Sequence, residues 1–401
     1  MDNMITRTMK PYWLFAATLL LVPGTSDSAS AAGYHVFYTF NGGGAGKEPI
    51  GPLLIDNSGN LVGTAVGTVY RLTPDAEEEI LYRFPHGSGY SRTGVVADNL
   101  GNLYGTTPAG GSCAATREGC GIVFKIAPDG TGTTLYAFQG GTDGASPSGG
   151  LVIDGTGNLY GTTGGGGYGY GTVFKIAPDG AETVLHAFQE SIDGSYPAAG
   201  VILDSSGNLY GTTVLSPEDG PYTGYGTVFK LAPDGTETIL YSFKGRGSGD
   251  GEMPYAPVVM DAVGNLYGTT GYGGDAESCD AGCGTVFRLS PDGREKVLHE
   301  FHGGADGFVG AYGSGLVLDS AGNLYGVAHG GSGTGCNSGD GCGIVFKMSP
   351  HGKEKVLHTF EGGTADGEDP RSPLTYYNGN LYGATYAGGA HGVGTVFKLK
   401  P

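Results

Sequence analysis

Residues 151–188 read LVIDGTGNLYGTTGGGGYGYGTVFKIAPDGAETVLHAF, and the same order of short motifs recurs along the whole chain. The NLYG motif, once in the form NLVG, occurs seven times, at Asn60, Asn102, Asn158, Asn208, Asn265, Asn323 and Asn380. The GTVFK motif or a close variant follows each of them, beginning at Gly67, Gly121, Gly171, Gly226, Gly284, Gly343 and Gly394. The chain is therefore a tandem array of seven repeats.

Each repeat contains four strand-sized apolar runs that turn signals separate. Residues 154–157 (DGTG) divide LVI from NLYGTT, and residues 178–180 (PDG) divide GTVFKIA from ETVLHAF. The apolar runs end at Gly, Asp or Pro and show no helical periodicity. We therefore expect one antiparallel sheet of four strands per repeat.

The VLHAF motif is displaced in a way that suggests a ring. It follows only six of the GTVFK motifs, and its seventh copy, residues 35–40 (HVFYTF), stands near the N-terminus. A strand from the N-terminus can then complete the last repeat and leave no open sheet edge. The predicted fold is all-β, a seven-bladed β-propeller of four-stranded antiparallel blades, in a single domain over residues 32–401. A solenoid is the alternative, but it would need distinct polar caps at its ends.

Residues 1–31 resemble a secretory signal peptide. Arg7 and Lys10 precede an apolar run over residues 13–22, and small residues lead to a cleavage site after Ala31. The apolar run is too short to cross a bilayer, so we expect a secreted, extracellular protein with no membrane span and no C-terminal anchor. The net charge of −18 disfavours nucleic acid as a partner.

The six cysteines occur as three close pairs in equivalent links between strands. We predict three local disulfides, Cys113–Cys120, Cys279–Cys283 and Cys336–Cys342. Zinc is the alternative for clustered thiolates, but these links share no histidine and their spacings differ. Disulfides agree with an exported protein.

Repetition separates structural residues from functional candidates. The aspartates at the turn before NLYG occur in six repeats, so we interpret them as turn caps: Asp56, Asp98, Asp154, Asp204, Asp261 and Asp319. The variable links lie on the opposite face of the predicted propeller, and that face is where a ligand is expected. A residue that departs from the repeated pattern there is a candidate for function.

An Asp-Gly pair in the links between blades suggests calcium, the only cofactor that the pattern suggests. Carboxylates together with backbone carbonyls are typical calcium ligands. The spacing of known calcium loops is missing, and a structural turn is the alternative. The candidates are Asp143, Asp193, Asp250, Asp306 and Asp366.

Pattern-breaking residues cluster just before the inner strands, at the expected mouth of the central channel. Arg92 and Arg371 lie in the second and seventh repeats, Lys47 belongs to the link that enters the first, and Tyr255 occupies the same position in the fifth. We predict a small basic pocket for a carboxylate or sulfate group. Exposed arginines on variable loops are the alternative.

Tyrosines in the variable links could stack on sugar rings, Tyr168 and Tyr222 among them. The only tryptophan, Trp13, falls in the predicted signal peptide. The sequence contains no nucleophile elbow, HExxH motif or phosphate loop, so we assign no catalytic residue.

The combination of NLYGTT, GTVFK and PDGxETVLHxF resembles the GloVer tandem-repeat family of exported bacterial proteins, over residues 34–401. The resemblance implies a β-propeller on an exported or surface-displayed protein. It brings no reaction and no catalytic residue.

The leading hypothesis is a secreted, non-catalytic propeller whose loop face binds an extracellular glycan or protein. An extracellular enzyme acting on a polysaccharide or a lactone is the alternative, since propellers also support catalysis. A structural matrix protein is a second alternative. The scarcity of charge in the inner strands favours the first hypothesis.

Overall fold

The repeats fold into seven antiparallel blades of four strands each, as the computed structural model shows. The structure describes residues 33–43, 46–85, 91, 93–113, 119–217, 224–275, 279–310, 315–336 and 341–401, with the side chains of residues 190 and 191 left aside. The predicted signal peptide lies outside the described residues. The predicted seven-bladed propeller is confirmed.

The strands of each blade are named inner, second, third and outer, counting from the central axis. The inner strands are Leu54–Ile55, Val96–Ala97, Val152–Ile153, Ile202–Leu203, Val259–Met260, Val317–Leu318 and Thr375–Tyr377. The second strands are Leu61–Ala65, Leu103–Thr107, Leu159–Gly165, Leu209–Thr213, Leu266–Thr270, Leu324–Ala328 and Asn380–Thr385. The third strands are Thr68–Leu72, Ile122–Ile126, Thr172–Ile176, Thr227–Leu231, Thr285–Leu289, Ile344–Met348 and Thr395–Leu399. The outer strands are Glu78–Arg83, Gly132–Ala137, Glu182–Ala187, Glu237–Ser242, Glu295–Glu300, Glu354–Thr359 and Tyr34–Thr39.

The links between strands add a few short elements on the variable face. One α-helical turn, Glu190–Asp193, and two 3₁₀ turns, Arg246–Ser248 and Gly304–Asp306, belong to links between blades. Short extra strands are Ala145–Pro147, Gly251–Glu252, Tyr272–Gly273, Gly367–Glu368 and Ala387–Gly388. Among the described residues, no helix is long and apolar enough to cross a membrane.

The N-terminal strand closes the ring. Tyr34–Thr39 pairs antiparallel with Thr395–Leu399, in a register that places Tyr34 opposite Leu399. The Tyr34 ring stacks on His358 of blade 6 at 3.5 Å, and its hydroxyl donates a hydrogen bond to Asp366. The closure predicted from the displaced motif is therefore confirmed.

Aromatic contacts join each blade to the next. Phe188, directly after the outer strand of blade 3, meets Phe229 of blade 4 edge to face at 5.2 Å. The same contact recurs at the other six interfaces and includes Phe40 with Tyr70, at 5.0 Å, between blades 7 and 1. A Cβ on Gly161 would lie 2.6 Å from the Phe174 ring, so the glycine of NLYG makes room for the phenylalanine of GTVFK.

The turn aspartates have the structural role that repetition predicts. Asp154 accepts hydrogen bonds from the backbone N–H groups of Thr156 and Asn158, both at 2.9 Å. Its other carboxylate oxygen accepts from Asn158 Nδ2 at 2.8 Å and from the Tyr160 hydroxyl at 3.1 Å. With the Thr156 hydroxyl, which also donates at 2.8 Å, five donors on one carboxylate tie the turn to the second strand.

The three predicted disulfides are confirmed. They join Cys113 to Cys120, Cys279 to Cys283 and Cys336 to Cys342. Each bond closes a short loop in the link between a second and a third strand, so the bonds stiffen the variable face.

Candidate functional site

A cavity of about 1280 Å³ occupies the central channel and opens on the variable face. Its deeper wall includes Val152, Ile202 and Val259 of the inner strands, and its rim includes Pro108 and Gly164, where second strands end. These elements place the mouth on the face that carries the variable links. The channel mouth is therefore the candidate site.

The same backbone conformation recurs around the rim of the cavity. In five blades the residue before a proline adopts the left-handed conformation, with φ between 53° and 60°: Glu48, Ser146, Tyr196, Met253 and Asp369. The residue after that proline lines the cavity in each case: Ile50, Ser148, Ala198, Tyr255 and Arg371. Because the strained backbone is shared, only the side chains at these positions distinguish one side of the mouth from another.

Blades 6, 7 and 1 place a connected group of polar side chains beside this mouth, which we call the polar sector: Glu48, His329, Asp369, Arg371 and Tyr386. Glu48, Arg371 and Tyr386 line the cavity, whereas Asp369 and His329 contact them without lining it. Asp369 lies at its centre. Arg371 donates to Asp369 Oδ2 from Nε at 2.8 Å and from Nη2 at 2.5 Å. His329 Nδ1 lies 2.9 Å from Asp369 Oδ1, and this imidazole, from the end of the second strand of blade 6, is only 8% exposed.

The same group continues towards blade 1. The Arg371 guanidinium lies over the Tyr386 ring, 4.1 Å from its centroid. The Tyr386 hydroxyl donates to Glu48 Oε2 at 2.8 Å, and Lys47 Nζ lies 3.1 Å from Glu48 Oε1. Side chains that are far apart in the sequence thus form one chain of contacts across three blades.

Each carboxylate of the polar sector lies beside a positive charge: Arg371 within the sector for Asp369, and Lys47 just outside it for Glu48. Burial by itself would raise the pKa of Asp369, but hydrogen bonds from His329 and Arg371 outweigh burial and lower that pKa below its usual range. Asp369 is consequently an anion that Arg371 compensates, and Glu48 compensates Lys47. The two described bases of the predicted basic pocket therefore both face carboxylates.

Only some of the predicted ligand-binding residues line the cavity. Arg371 and Tyr255 line the cavity, on different blades. Lys47 contacts Glu48 but does not itself line the cavity, and Tyr168 is 67% exposed on a link of blade 3 away from the cavity lining. Arg92 and Tyr222 lie outside the described residues.

Four members of the polar sector were not among the residues predicted from the sequence: Glu48, His329, Asp369 and Tyr386. A signal for them exists. His329 and Tyr386 follow the NLYG leucine by five residues, where blades 1 to 5 have Val66, Pro108, Gly164, Val214 and Gly271. Glu48 and Asp369 carry charge where blades 3 to 5 have Ser146, Tyr196 and Met253.

The five calcium candidates are hydrogen-bonded to side chains of the outer strands. Asp143 accepts a hydrogen bond from the Tyr136 hydroxyl at 2.6 Å. Asp193 lies 2.9 Å from His186 Nε2 and accepts from the backbone N–H of Gln189 at 2.6 Å. Asp250, Asp306 and Asp366 repeat this pairing with the tyrosine or histidine of the outer strand. No group of three or more His, Cys, Asp or Glu side chains suited to a metal occurs in the part of the chain that the structure describes.

A family model for the Gloeobacter/Verrucomicrobia repeat matches residues 64–278 and 214–401. The chain belongs to this repeat family. No curated protein matches it. The family assignment agrees with the repeats and with the propeller, and it names no activity.

Several solved structures are similar to the chain. Virginiamycin B lyase from Staphylococcus aureus is 11% identical, with a TM-score of 0.59 over 92% of this chain and 99% of that one. The extracellular domain of a one-component system protein from B. thetaiotaomicron is 12% identical, with a TM-score of 0.52 over 89% of this chain and 40% of that one. A gluconolactonase from Xanthomonas campestris is 14% identical, with a TM-score of 0.44 over 92% of this chain and 89% of that one. At such identities the first two support the fold alone, and the third superposition is too loose to support an argument.

Proposed function

We propose that the protein is an exported, non-catalytic binding module, and that its polar sector holds a neutral, hydroxyl-rich part of an extracellular glycan. The observation that carries this proposal is the charge-balanced network around Asp369 and Arg371 at the rim of the channel. Fixed donors and acceptors on a concave surface are what a ligand with many hydroxyl groups requires.

The charge balance favours hydroxyl groups over anions. A carboxylate or sulfate would have to share Arg371 with Asp369, which already receives two of its N–H donors. A sugar hydroxyl can instead accept from the guanidinium and donate to a carboxylate such as Glu48 without adding charge. The site therefore suits a neutral sugar better than the acidic ligand expected from the sequence.

Tyr255 offers an apolar surface on the same rim. It lines the cavity in blade 5, and its ring meets Tyr272 edge to face at 6.5 Å. Burial raises the pKa of Tyr255, so its hydroxyl stays neutral and its ring can pack against the C–H face of a sugar.

Export is part of the proposal. Three disulfides are typical of proteins in oxidising compartments, and residues 1–31 resemble a signal peptide. We infer an extracellular protein whose ligand is met outside the cell.

A glycan array tests the proposed function. We expect the mature protein to select neutral glycans, equally with calcium or with a chelator, and Arg371→Ala to lose at least tenfold in affinity for them. The matched control is Arg294→Ala, because Arg294 is 83% exposed and pairs with Asp292 on a short turn. Selection of sulfated or uronic glycans alone, or binding that requires calcium, would contradict the proposal.

An enzyme acting on a polysaccharide or a lactone remains the second candidate, and one observation favours it. His329 Nδ1 lies 2.9 Å from Asp369 Oδ1, and a carboxylate that orients an imidazole is one part of a general base; His329 is 8% exposed and does not line the cavity, so this role would need the rim to open around it. Incubating any array hit with the protein and analysing it by mass spectrometry separates the two functions. Turnover that His329→Gln abolishes would identify an enzyme.

A further inference from the structure

The wall of the channel differs chemically from its rim. Below the rim the cavity is lined largely by Pro, Val, Ile, Leu, Ala and Gly, including Pro52, Val152, Ile202, Pro257 and Val259. Among the described lining residues, the only charged side chains are Glu48 and Arg371, and both belong to the polar sector. The cavity thus has a polar rim on one side and an apolar interior.

Three of the hydroxyl groups of the wall already have partners in the protein. The Ser148 hydroxyl donates to the Pro197 carbonyl at 3.0 Å. Thr93 and Thr106 share a hydrogen bond of 3.2 Å between their side-chain oxygens. A sugar placed deep in the channel would therefore meet few side-chain partners for its hydroxyl groups, which is unfavourable.

The wall is also rigid. The segments that lead into the inner strands of neighbouring blades approach so closely that a Cβ on Gly149 would overlap the backbone of Gly200, and a Cβ on Gly51 would overlap that of Gly94. A channel held by such backbone contacts is formed before any ligand arrives, so little ordering is needed on binding. Its volume of about 1280 Å³ exceeds that of a typical small-molecule pocket, which is about 300–1,000 Å³.

From these observations we propose that the ligand is amphiphilic: a neutral sugar held by the polar sector, with an apolar substituent such as an alkyl chain inserted into the channel. This inference rests on the proposed function, because it uses the same polar sector for the sugar. The chemical class is a glycoside with an aliphatic or other apolar aglycone. Such a ligand satisfies the polar rim and covers the apolar wall at the same time.

A homologous series of ligands measures the channel directly. The probes are methyl, butyl, hexyl and octyl β-D-glucopyranosides, titrated by calorimetry below their micelle concentrations into the mature protein. Because burying one CH₂ group contributes about 0.8 kcal/mol, affinity should rise about fourfold for each added methylene group. If the alkyl group stayed in water, affinity would not rise with its length.

Two kinds of variant locate the chain. Ala198→Tyr places a large side chain at the rim position where blade 5 has Tyr255, so the backbone accommodates it. We expect Ala198→Tyr to weaken octyl glucoside binding at least tenfold and methyl glucoside binding less than twofold. The control is Leu100→Ser with Val263→Ser, because these side chains are 79% and 74% exposed outside the cavity lining and should leave the slope unchanged.

The outcomes distinguish this inference from the proposed function. A flat series, with array hits still lost in Arg371→Ala, would overturn the amphiphile and keep the sugar site. A steep series that neither Ala198→Tyr nor Arg371→Ala changes would show that the chain binds elsewhere, which also overturns it. Absence of binding by every glucoside and every array glycan would overturn both.

Discussion

The blade 7–blade 1 side of the channel mouth and the blade 3–blade 4 side use the same backbone for different purposes. Asp369 and Glu48 on one side, and Ser146 and Tyr196 on the other, all precede a proline and all have φ between 53° and 60°. Only the first pair carries charge and joins a network of polar side chains. The shared backbone strain is therefore a property of the fold, whereas the charge is what the proposed function uses.

Packing between blades shows the opposite pattern, since the two sides are equivalent there. Phe40 meets Tyr70 at 5.0 Å between blades 7 and 1, and Phe188 meets Phe229 at 5.2 Å between blades 3 and 4. Both phenylalanines have no exposed surface. Substitutions that probe packing should thus affect both sides alike, while substitutions that probe binding should affect one.

The largest effect should come from the packing pair. Phe40→Ala and Phe188→Ala each remove a fully buried ring, so each should lower the free energy of unfolding by about 3–5 kcal/mol. Denaturant unfolding of the two variants measures this. A loss at Phe40 that is much smaller than at Phe188 would show that the N-terminal segment contributes little to closing the ring.

The next effect should fall on one side only. Asp369→Asn keeps a residue that tolerates the left-handed conformation but removes the carboxylate between Arg371 and His329. We expect at least a tenfold loss of glycan affinity. Ser146→Asn introduces the same residue at the equivalent position of blade 3 and should change affinity less than twofold. Equal losses in the two variants would contradict the assignment of binding to the polar sector.

A smaller effect is expected at Tyr386. Tyr386→Phe keeps the ring beneath Arg371 but removes the hydroxyl that donates to Glu48. Glycan affinity should fall by about threefold, because one hydrogen bond to a charged group is lost while the stacking remains. Val214→Ala, at the equivalent position of blade 4, serves as the control. An unchanged affinity in Tyr386→Phe would remove Glu48 from the site.

The smallest effect concerns pH and the interfaces between blades. Burial raises the pKa of Glu237 in blade 4 from its ordinary value of 4.5 to about 7, with His186 lowering it and Asp193 raising it. Burial also raises the pKa of Glu78 in blade 1, where Tyr38 and Arg83 act to lower it. Folding therefore shifts both groups towards their protonated form.

The sign of the pH dependence follows. Because the folded pKa of Glu237 lies above its unfolded value, its stabilisation is complete below about pH 4.5 and is lost as the pH rises through about 7. The melting temperature should fall by a few degrees over that range, and Glu237→Gln should flatten the decline more than Glu78→Gln. Identical profiles for the two variants and the parent protein would contradict this.

Part of the site followed from the sequence because repetition marks departures from a pattern. Arg371 and Tyr255 stand out at the position before the inner strand, and both line the cavity. His329 and Asp369 stand out at other positions of the repeat, and their importance depends on a distance of 2.9 Å between blades 6 and 7. The sequence does not reveal this contact, because the two residues are 40 positions apart and meet only in the folded protein.

The sequence by itself determined the seven blades, the closing strand and the disulfide pairs, because each depends on contacts within one repeat or between repeats in a fixed order. Only the tertiary structure decided that Glu48, His329, Asp369, Arg371 and Tyr386 meet at the channel mouth. The physical reason is that strand formation depends on a local apolar pattern in the sequence. The polar sector, in contrast, exists only after the ring closes and brings blades 6, 7 and 1 together.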